Sequence, residues 1–207
     1  MNQTIRSILC AATALLVQTA AAQSTGPDAL VRSVTDEVVG IIKQDKDIQA
    51  GNRQKTIALV EQKVLPHFDF TRMTALAMGP NWRKATPEQQ KLLVEQFRTL
   101  LVRTYSTALS AYRNQVIDVK PPRAQPNDTE VVVRSEVKQS GAEPVTIDYS
   151  MAKTPAGWKV YDVAVNAASL VTTYRDTFAT EVRNGGIDGL IKSLSAKNQQ
   201  LAAKPAA

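Results

Sequence analysis

Only two side chains of the sequence have the type and setting that catalysis would need. His67 is the only histidine, so no histidine cluster could hold a metal ion, and it would be the only base available to a nucleophile. It follows Pro66 in an aromatic stretch, and no partner motif accompanies it. Asp162, between Tyr161 and Val163, has no second carboxylate with which to perform general acid–base catalysis. We expect Asp162 to bond to backbone groups or to an arginine at the end of a strand.

Motifs of common catalytic and nucleotide-binding sites are also missing from the sequence. It contains no G-x-S-x-G, no P-loop and no G-x-G-x-x-G. The chain is therefore predicted not to be an enzyme and to need neither a metal ion nor a cofactor. An enzyme would have to show turnover that depends on His67 or Asp162.

The segment 1–22 has the organisation of a secretory signal peptide. Arg6 precedes an apolar run over residues 8–17, and Ala20-Ala21-Ala22 provides an A-x-A cleavage site. The run is shorter than the roughly 20 apolar residues that span a bilayer. These features predict a soluble protein that is exported to the periplasm. Cys10 would be removed with the signal peptide, which leaves a mature chain without cysteine or disulfide.

The chain carries a net charge of +6, which falls to +5 once Arg6 is removed. Because export is predicted, nucleic acid is not an expected partner, and the charge would serve solubility or attract anionic lipid or acidic proteins. The basic residues are scattered along the sequence, which favours the role in solubility. If they converge on one face, we expect association with acidic partners to slow as the salt concentration rises.

Two patterns of helical spacing precede the centre of the chain. Apolar residues between positions 30 and 42 recur at intervals of three and four, and a polar break at 44–52 separates them from a second helix. Thr86 and Gln89 match a capping box around a proline at the first helical position. They predict the start of the longest helix, which should continue to about Tyr112.

The apolar period then changes to two, which is typical of strands. Strands are predicted at 116–119, 131–137, 145–151 and 158–165, with turn residues between the last three. Short turns between consecutive strands indicate an antiparallel meander. The alternation of the fourth strand is ambiguous, because apolar residues occupy both of its faces.

Helical spacing returns after the strands, and Gly185-Gly186 separates a helix over residues 170–182 from a last helix. Helices, then a sheet, then helices define an α+β fold. No repeat or low-complexity linker divides the chain. We therefore predict a single domain over residues 23–198 and a flexible tail at 199–207.

Six stretches of the sequence have unusual character: VLPHFDF (64–70), WRKATPEQQ (82–90), FRTLLVRTY (97–105), WKVYDV (158–163), SLVTTYR (169–175) and GIDGL (186–190). In this order they resemble the MlaC or toluene-tolerance (Ttg2-type) family of periplasmic phospholipid-binding proteins, which act in the maintenance-of-lipid-asymmetry pathway. The resemblance covers nearly the whole mature chain. No single stretch is specific, but the ordered set is.

The resemblance implies a nuclear-transport-factor-like α+β fold: one strongly curved antiparallel sheet of about four strands, flanked by helices, with a deep apolar pocket. It also implies a monomeric carrier that hydrolyses nothing and holds a phospholipid as cargo. Such a carrier would exchange lipid with an outer-membrane lipoprotein–porin complex and with the MCE-domain subunit of an inner-membrane ABC transporter.

Apolar residues of the central helix, the sheet and the following helix are the candidates for the pocket. We expect one wall from the sheet, around Ile147, and an opposing wall from the helix stripe around Phe97. The full set of candidates is Phe97, Leu100, Leu101, Tyr105, Val131, Val133, Ile147, Tyr149, Met151, Tyr161, Val163, Leu170, Val171 and Tyr174.

One position departs from the family pattern. The family usually has a glycine shortly before the serine that matches Ser169, where this chain has Asn166-Ala167-Ala168. Two other binding functions also fit the sequence: a carrier for another amphiphile such as a hopanoid, and a lipid-free periplasmic adaptor whose helices pack into a closed core.

Overall fold

The computed structural model of the protein describes residues 26–123, 125 and 127–203. The predicted signal peptide lies outside the described residues. The helices that precede the sheet are α1 (Pro27–Gln44), α2 (Lys46–Gln49), α3 (Arg53–Leu59), α4 (Phe70–Met78), α5 (Pro87–Tyr105) and α6 (Thr107–Ser110). The strands are β1 (Val116–Val119), β2 (Glu130–Lys138), β3 (Val145–Thr154), β4 (Gly157–Val165) and β5 (Ala168–Ser169), and α7 (Leu170–Ala203) follows. The predicted α+β order is confirmed.

Helix α5 begins as predicted but ends earlier. Thr86 and Gln89 form the capping box, with the Gln89 N–H donating to the Thr86 hydroxyl at 3.2 Å and the Thr86 N–H donating to Gln89 Oε1 at 3.0 Å. The helix ends at Tyr105, and α6 follows as a single turn. Just after this end, the Thr107 hydroxyl donates to the Thr104 carbonyl at 3.5 Å.

Helix α7 consists of two helical arms that meet at a kink, and each arm is shorter than the 19-residue α5, as predicted. Gly186 has φ 68° and ψ −174° inside it, a conformation that is open in practice only to glycine. The two predicted C-terminal helices are therefore the two arms of one kinked helix. The second arm continues to Ala203, past residue 199, where the predicted tail begins. None of the helices in the described part of the chain is long and apolar enough to cross a bilayer.

The strands form one antiparallel sheet in the order β1-β2-β3-β4-β5. The predicted meander is confirmed, with the two-residue strand β5 added at its edge. A β-bulge resolves the ambiguous alternation of β4: Ser150 pairs with Asp162, but Met151 pairs with Val160, so Tyr161 is an extra residue. Because of it, Val160 and Val163 lie on the same face although they are three positions apart.

The two faces of the sheet differ in chemistry. We call the face that carries Val133 and Met151 the inner face; it packs against the N-terminal half of α1 through Val31. The opposite, outer face carries charged residues in pairs. Arg134 binds Asp148 through two bonds of 2.6 Å each. A second group of ion pairs on that face joins Lys120 and Lys138 to Asp118 and Glu136.

Candidate functional site

The apolar core divides into separate clusters. The sheet cluster consists of Val31, Val119, Val131, Val133, Met151, Trp158 and Val160. The helix cluster, from α4, α5, α7 and the segment between α4 and α5, consists of Met73, Ala77, Met78, Ala85, Leu93, Phe97, Leu100, Leu101, Val171, Phe178, Leu190 and Leu194. A third, smaller cluster joins the end of α1 to α2 and α3. Domains usually have one contiguous core with smaller satellites, so this division is a distinctive feature of the fold.

Phe68 is the side chain that packs against both the sheet cluster and the helix cluster. Its ring stacks on Phe70 with the centroids 5.6 Å apart. Its backbone forms a parallel bridge to Val160, and the Asp69 N–H donates to the Val160 carbonyl at 2.8 Å. The helices and the sheet are therefore fastened together at this point of β4.

The helix cluster is closed by aromatic packing between α5 and α7. The Phe97 ring lies edge-on to Tyr174 and to Phe178, with centroid distances of 5.0 and 5.1 Å. Phe97 is fully buried. This α5 side chain therefore faces α7 rather than the sheet.

The inner face of the sheet is packed at one end and open at the other. Val133 and Met151 are 0% exposed. Toward the other end of the strands the apolar side chains of the same face retain exposed surface, and none of them belongs to a cluster: Ile117, Val137, Val145, Ile147 and Val165. We call these five residues the open end of the inner face.

The fourteen predicted pocket residues are divided between these regions. Those in or against the sheet cluster are Val131, Val133, Tyr149, Met151 and Val163. Those in or against the helix cluster are Phe97, Leu100, Leu101, Tyr161, Leu170, Val171 and Tyr174. Ile147 lies at the open end, and Tyr105 is 41% exposed. The structure thus does not bring the α5 stripe and the inner face into one cluster.

Two of these positions differ from the expectation for a pocket wall. Tyr161 is displaced by the bulge to the outer face, where its hydroxyl donates to Glu130 Oε2 at 3.0 Å. The guanidinium of Arg72 lies 3.6 Å from the centre of its ring. Phe97 shows no exposed surface, so it contacts only protein. The apolar pattern shows neither the bulge nor which neighbouring element Phe97 faces.

Titratable groups near these clusters are held neutral. Burial raises the pKa of Tyr149, an effect that a hydrogen bond with Ser135 opposes. Burial, followed by the charge and hydrogen bond of Tyr105, raises the pKa of Tyr174 to about 12. Burial, and then the nearby charge of Lys159, lowers the pKa of His67. All three shifts favour the uncharged form of the group, which suits an apolar region.

Asp162 has the structural role that was predicted for it. Its carboxylate accepts hydrogen bonds from the Ser169 hydroxyl at 2.6 Å, from the Val163 N–H at 2.8 Å and from the Val171 N–H at 3.2 Å. The Ser169 hydroxyl in turn accepts from the Thr172 N–H. The pair caps the N-terminus of α7, where the first N–H groups have no helical partners.

The departure from the family pattern lies in the turn between β4 and β5. Asn166 and Ala167 have φ of 47° and 67°, so both central residues of this two-residue turn are in the left-handed region. Such a turn favours asparagine followed by glycine, and alanine adopts the second position at a cost in strain. Asn166 fastens the turn to β3, because its side-chain oxygen accepts from the Thr146 N–H at 3.0 Å.

Two residues of this region were missed by the sequence analysis. Phe68 was part of an unusual aromatic stretch, but nothing in its spacing indicated that it joins two clusters. Ser135 continues the alternation of Val131 and Val133 and could have been placed on the inner face, where it is 0% exposed. Alternation was therefore a sufficient signal for Ser135.

Comparison with known proteins identifies the family. A family model described as MlaC protein matches residues 32–196. The chain belongs to the MlaC family. It is 30% identical over 184 residues to the toluene tolerance protein ttg2D of Pseudomonas putida, covering 88% of this chain and 84% of that protein. It is 26% identical over 198 residues to the intermembrane phospholipid transport system binding protein MlaC of Haemophilus influenzae, covering 93% and 90%.

The fold of the chain also matches that of a solved structure. The phospholipid-binding protein of Ralstonia solanacearum, determined in complex with a phospholipid, superposes with a TM-score of 0.79 at 46% identity. The match covers 84% of this chain and 98% of that one. It confirms the expected fold class and the family that the ordered motifs indicated.

Proposed function

We propose that this protein is a periplasmic carrier that binds the acyl chains of a glycerophospholipid. The observation on which the proposal rests is the Ralstonia solanacearum structure, because that protein shares the fold and 46% of the matched residues and was solved with a phospholipid. The division of the core supports it. A sheet and a helical layer that share few side chains can separate around a ligand without breaking either cluster.

The energetics of lipid in water explain why such a carrier is needed. Each methylene removed from water contributes about 0.8 kcal/mol, so roughly thirty methylenes of two acyl chains amount to on the order of 20 kcal/mol. Free diffusion between two membranes is therefore too unfavourable. A carrier has to replace nearly all of that burial with apolar protein surface.

We assign the contact with the acyl chains to the open end of the inner face, including Ile147, and to the half-buried side chains next to it, Tyr149 and Val163. These residues present apolar surface that is not already buried against protein. The fully buried candidates, such as Val133 and Phe97, are packed against protein and are not assigned to this contact.

We further propose that the carrier moves lipid between an outer-membrane lipoprotein–porin complex and the MCE-domain subunit of an inner-membrane ABC transporter, and that it catalyses no reaction. The names of the relatives support phospholipid transport and binding. The predicted signal peptide supports the periplasmic location.

The deciding experiment is native mass spectrometry of the protein exported to a bacterial periplasm and purified without detergent, followed by identification of the lipid. A stoichiometric phospholipid adduct supports the carrier and reports the head group and the number of chains. A hopanoid adduct would show that the carrier binds a different amphiphile from the one proposed. A protein that stays lipid-free, even after incubation with phospholipid vesicles, would contradict the proposal and favour an adaptor.

A further inference from the structure

A cavity lies away from the sheet, at the end of the helical layer. It has a volume of about 520 Å³ and is formed where the loop after α2, the start of α3, the end of α5, α6 and the end of α7 meet. None of the proposed acyl-chain contacts lines it. It therefore requires an explanation of its own.

The charged residues that line this cavity all have the same sign. They are Arg53, Arg103 and Arg113, and no acidic residue is among the lining residues. Arg103 and Arg113 form no ion pair with any described carboxylate. We call this space the arginine cavity.

A neighbouring cavity of about 450 Å³ shows the opposite arrangement. Its lining includes two acidic and two basic residues, and they neutralise one another. Lys55 Nζ lies 2.7 Å from Asp47 Oδ2 and 3.3 Å from Asp45 Oδ2. Two cavities built on adjacent helices thus differ in whether their charges are compensated.

Backbone carbonyls at the C-terminal ends of helices offset part of the positive charge in the arginine cavity. Arg103 donates to the Asn198 carbonyl in the last turns of α7, and Arg113 donates to the Ser110 and Tyr112 carbonyls. The C-terminus of a long helix carries about half a negative charge, so α5 and α7 together offset about one positive charge. Arg103 and Arg113 alone supply two. About one positive charge therefore remains uncompensated, even when Arg53 is left out of the count.

Hydroxyl residues line the same cavity as the arginines. Ser106 lines the cavity and is 3% exposed, and its Oγ has no hydrogen-bond partner among the described residues. The Thr56 and Ser110 hydroxyls, which also line the cavity, bond to each other at 2.9 Å. A buried hydroxyl without a partner is unfavourable unless a ligand or water satisfies it.

We propose that the arginine cavity is a binding site for a phosphate group, with Arg103, Arg113 and Ser106 as its donors. Guanidinium groups bind phosphate oxygens in pairs of parallel N–H···O bonds, and a serine hydroxyl adds one more donor. The phosphate is either that of a lipid head group or a soluble phosphate. The cavity shares no lining residue with the proposed acyl-chain contacts.

Titration calorimetry with inorganic phosphate, at constant ionic strength in chloride, tests the site on the full chain. Saturable binding of one phosphate per protein is expected. R113Q should weaken it about tenfold or more, because a charge-assisted bond is lost, and S106A should weaken it by a smaller factor. K46Q, which removes the same charge at the balanced cavity, should leave the affinity unchanged. S106A removes a single oxygen and keeps the test valid if R113Q does not fold.

The source of the phosphate is decided by repeating the titration on phospholipid-loaded and lipid-free protein. If loading abolishes phosphate binding and R113Q retains less lipid, the ligand is the head group; if neither occurs, it is soluble phosphate. Phosphate binding by a protein that takes up no lipid would support this site while contradicting the carrier function. Absence of saturable binding, or equal affinity in wild type, R113Q and S106A, would overturn the site.

Discussion

The two ends of the inner face of the sheet are built from the same kinds of residue but have different surroundings. At one end Val133 and Met151 are packed against α1 and the rest of the sheet cluster. At the other end Ile147 and Val165 keep part of their surface exposed. Apolar alternation along a strand therefore does not distinguish a core position from a surface that can receive cargo. The elements packed on the sheet make that distinction.

The largest effects are expected from placing tryptophan at each end. At Val133 there is no free surface, so V133W should overpack the sheet cluster and lower the free energy of unfolding by about 1–3 kcal/mol or more. At Ile147 the new ring should occupy space at the open end, leave the fold intact and reduce co-purified phospholipid at least tenfold. Denaturant unfolding and native mass spectrometry measure the two effects.

V132W is the matched control for both variants. Val132 is 53% exposed on the outer face of the same strand as Val133. Tryptophan there should change neither stability nor bound lipid appreciably. The distinction between the two ends fails if V133W is as stable as V132W, or if folded I147W holds as much lipid as wild type.

The packed helical layer depends on the kink of α7, which directs Leu190 and Leu194 into the helix cluster. G186A should lower the free energy of unfolding by about 1–3 kcal/mol, because alanine is strained at φ 68° and ψ −174°. G185A, one position earlier with open space around it, should raise it by about 0.5–1 kcal/mol. Equal effects in the two variants, measured by denaturant unfolding, would mean that the kink relaxes.

In the β4–β5 turn, near the open end, a substitution to glycine should change stability less than G186A and in the opposite direction. A167G should raise the free energy of unfolding by about 0.5–1 kcal/mol, because relief of left-handed strain exceeds the entropy that glycine adds to the unfolded chain. A168G, at an extended position next to it, should lower it instead. If A167G is destabilising, the strain assigned to Ala167 is absent.

The smallest effect on stability is expected from the Arg134–Asp148 ion pair on the outer face of the sheet. This pair belongs to neither end of the inner face. Bonding to Arg134 holds the pKa of Asp148 below its ordinary value. The pair therefore stabilises the fold above the unfolded pKa of about 4, and this contribution is lost as pH falls through the lower folded pKa. D148N should lower the melting temperature by about 1–2 °C at pH 7. The difference from wild type should vanish near pH 2; a constant difference would contradict the assignment.

Much of the fold could be predicted because local signals and tertiary structure agree. The capping box at Thr86 and the alternation of the strands needed no distant contact to be correct. The break at Gly186 was also predicted, from the glycine pair itself. The early end of α5 was not, because apolar residues continue at helical spacing past Tyr105 to Tyr112.

The candidate site was less predictable, because it depends on which apolar faces meet. The spacing of Phe97 shows that it is inward-facing but not whether it faces α7 or the sheet. The bulge places Tyr161, a predicted wall residue, on the outer face. A bulge of this kind can be identified only from the pairing with the neighbouring strand. Phe68 was noticed for its composition, but its contacts with both clusters require the structure.

Helix α7 also determines when the helix cluster can form. It supplies Val171, Phe178, Leu190 and Leu194 to a cluster whose members on α4 and α5, such as Phe97, come about seventy residues or more earlier in the chain. Arg53 is bonded to the Leu201 carbonyl, 148 positions away. Contacts of such long range slow folding, and no shorter N-terminal fragment can cover the apolar stripe of α5. The helix cluster is therefore expected to form only after the last helix has been synthesised, whereas the sheet cluster contains no residue beyond Val160 and does not depend on α7.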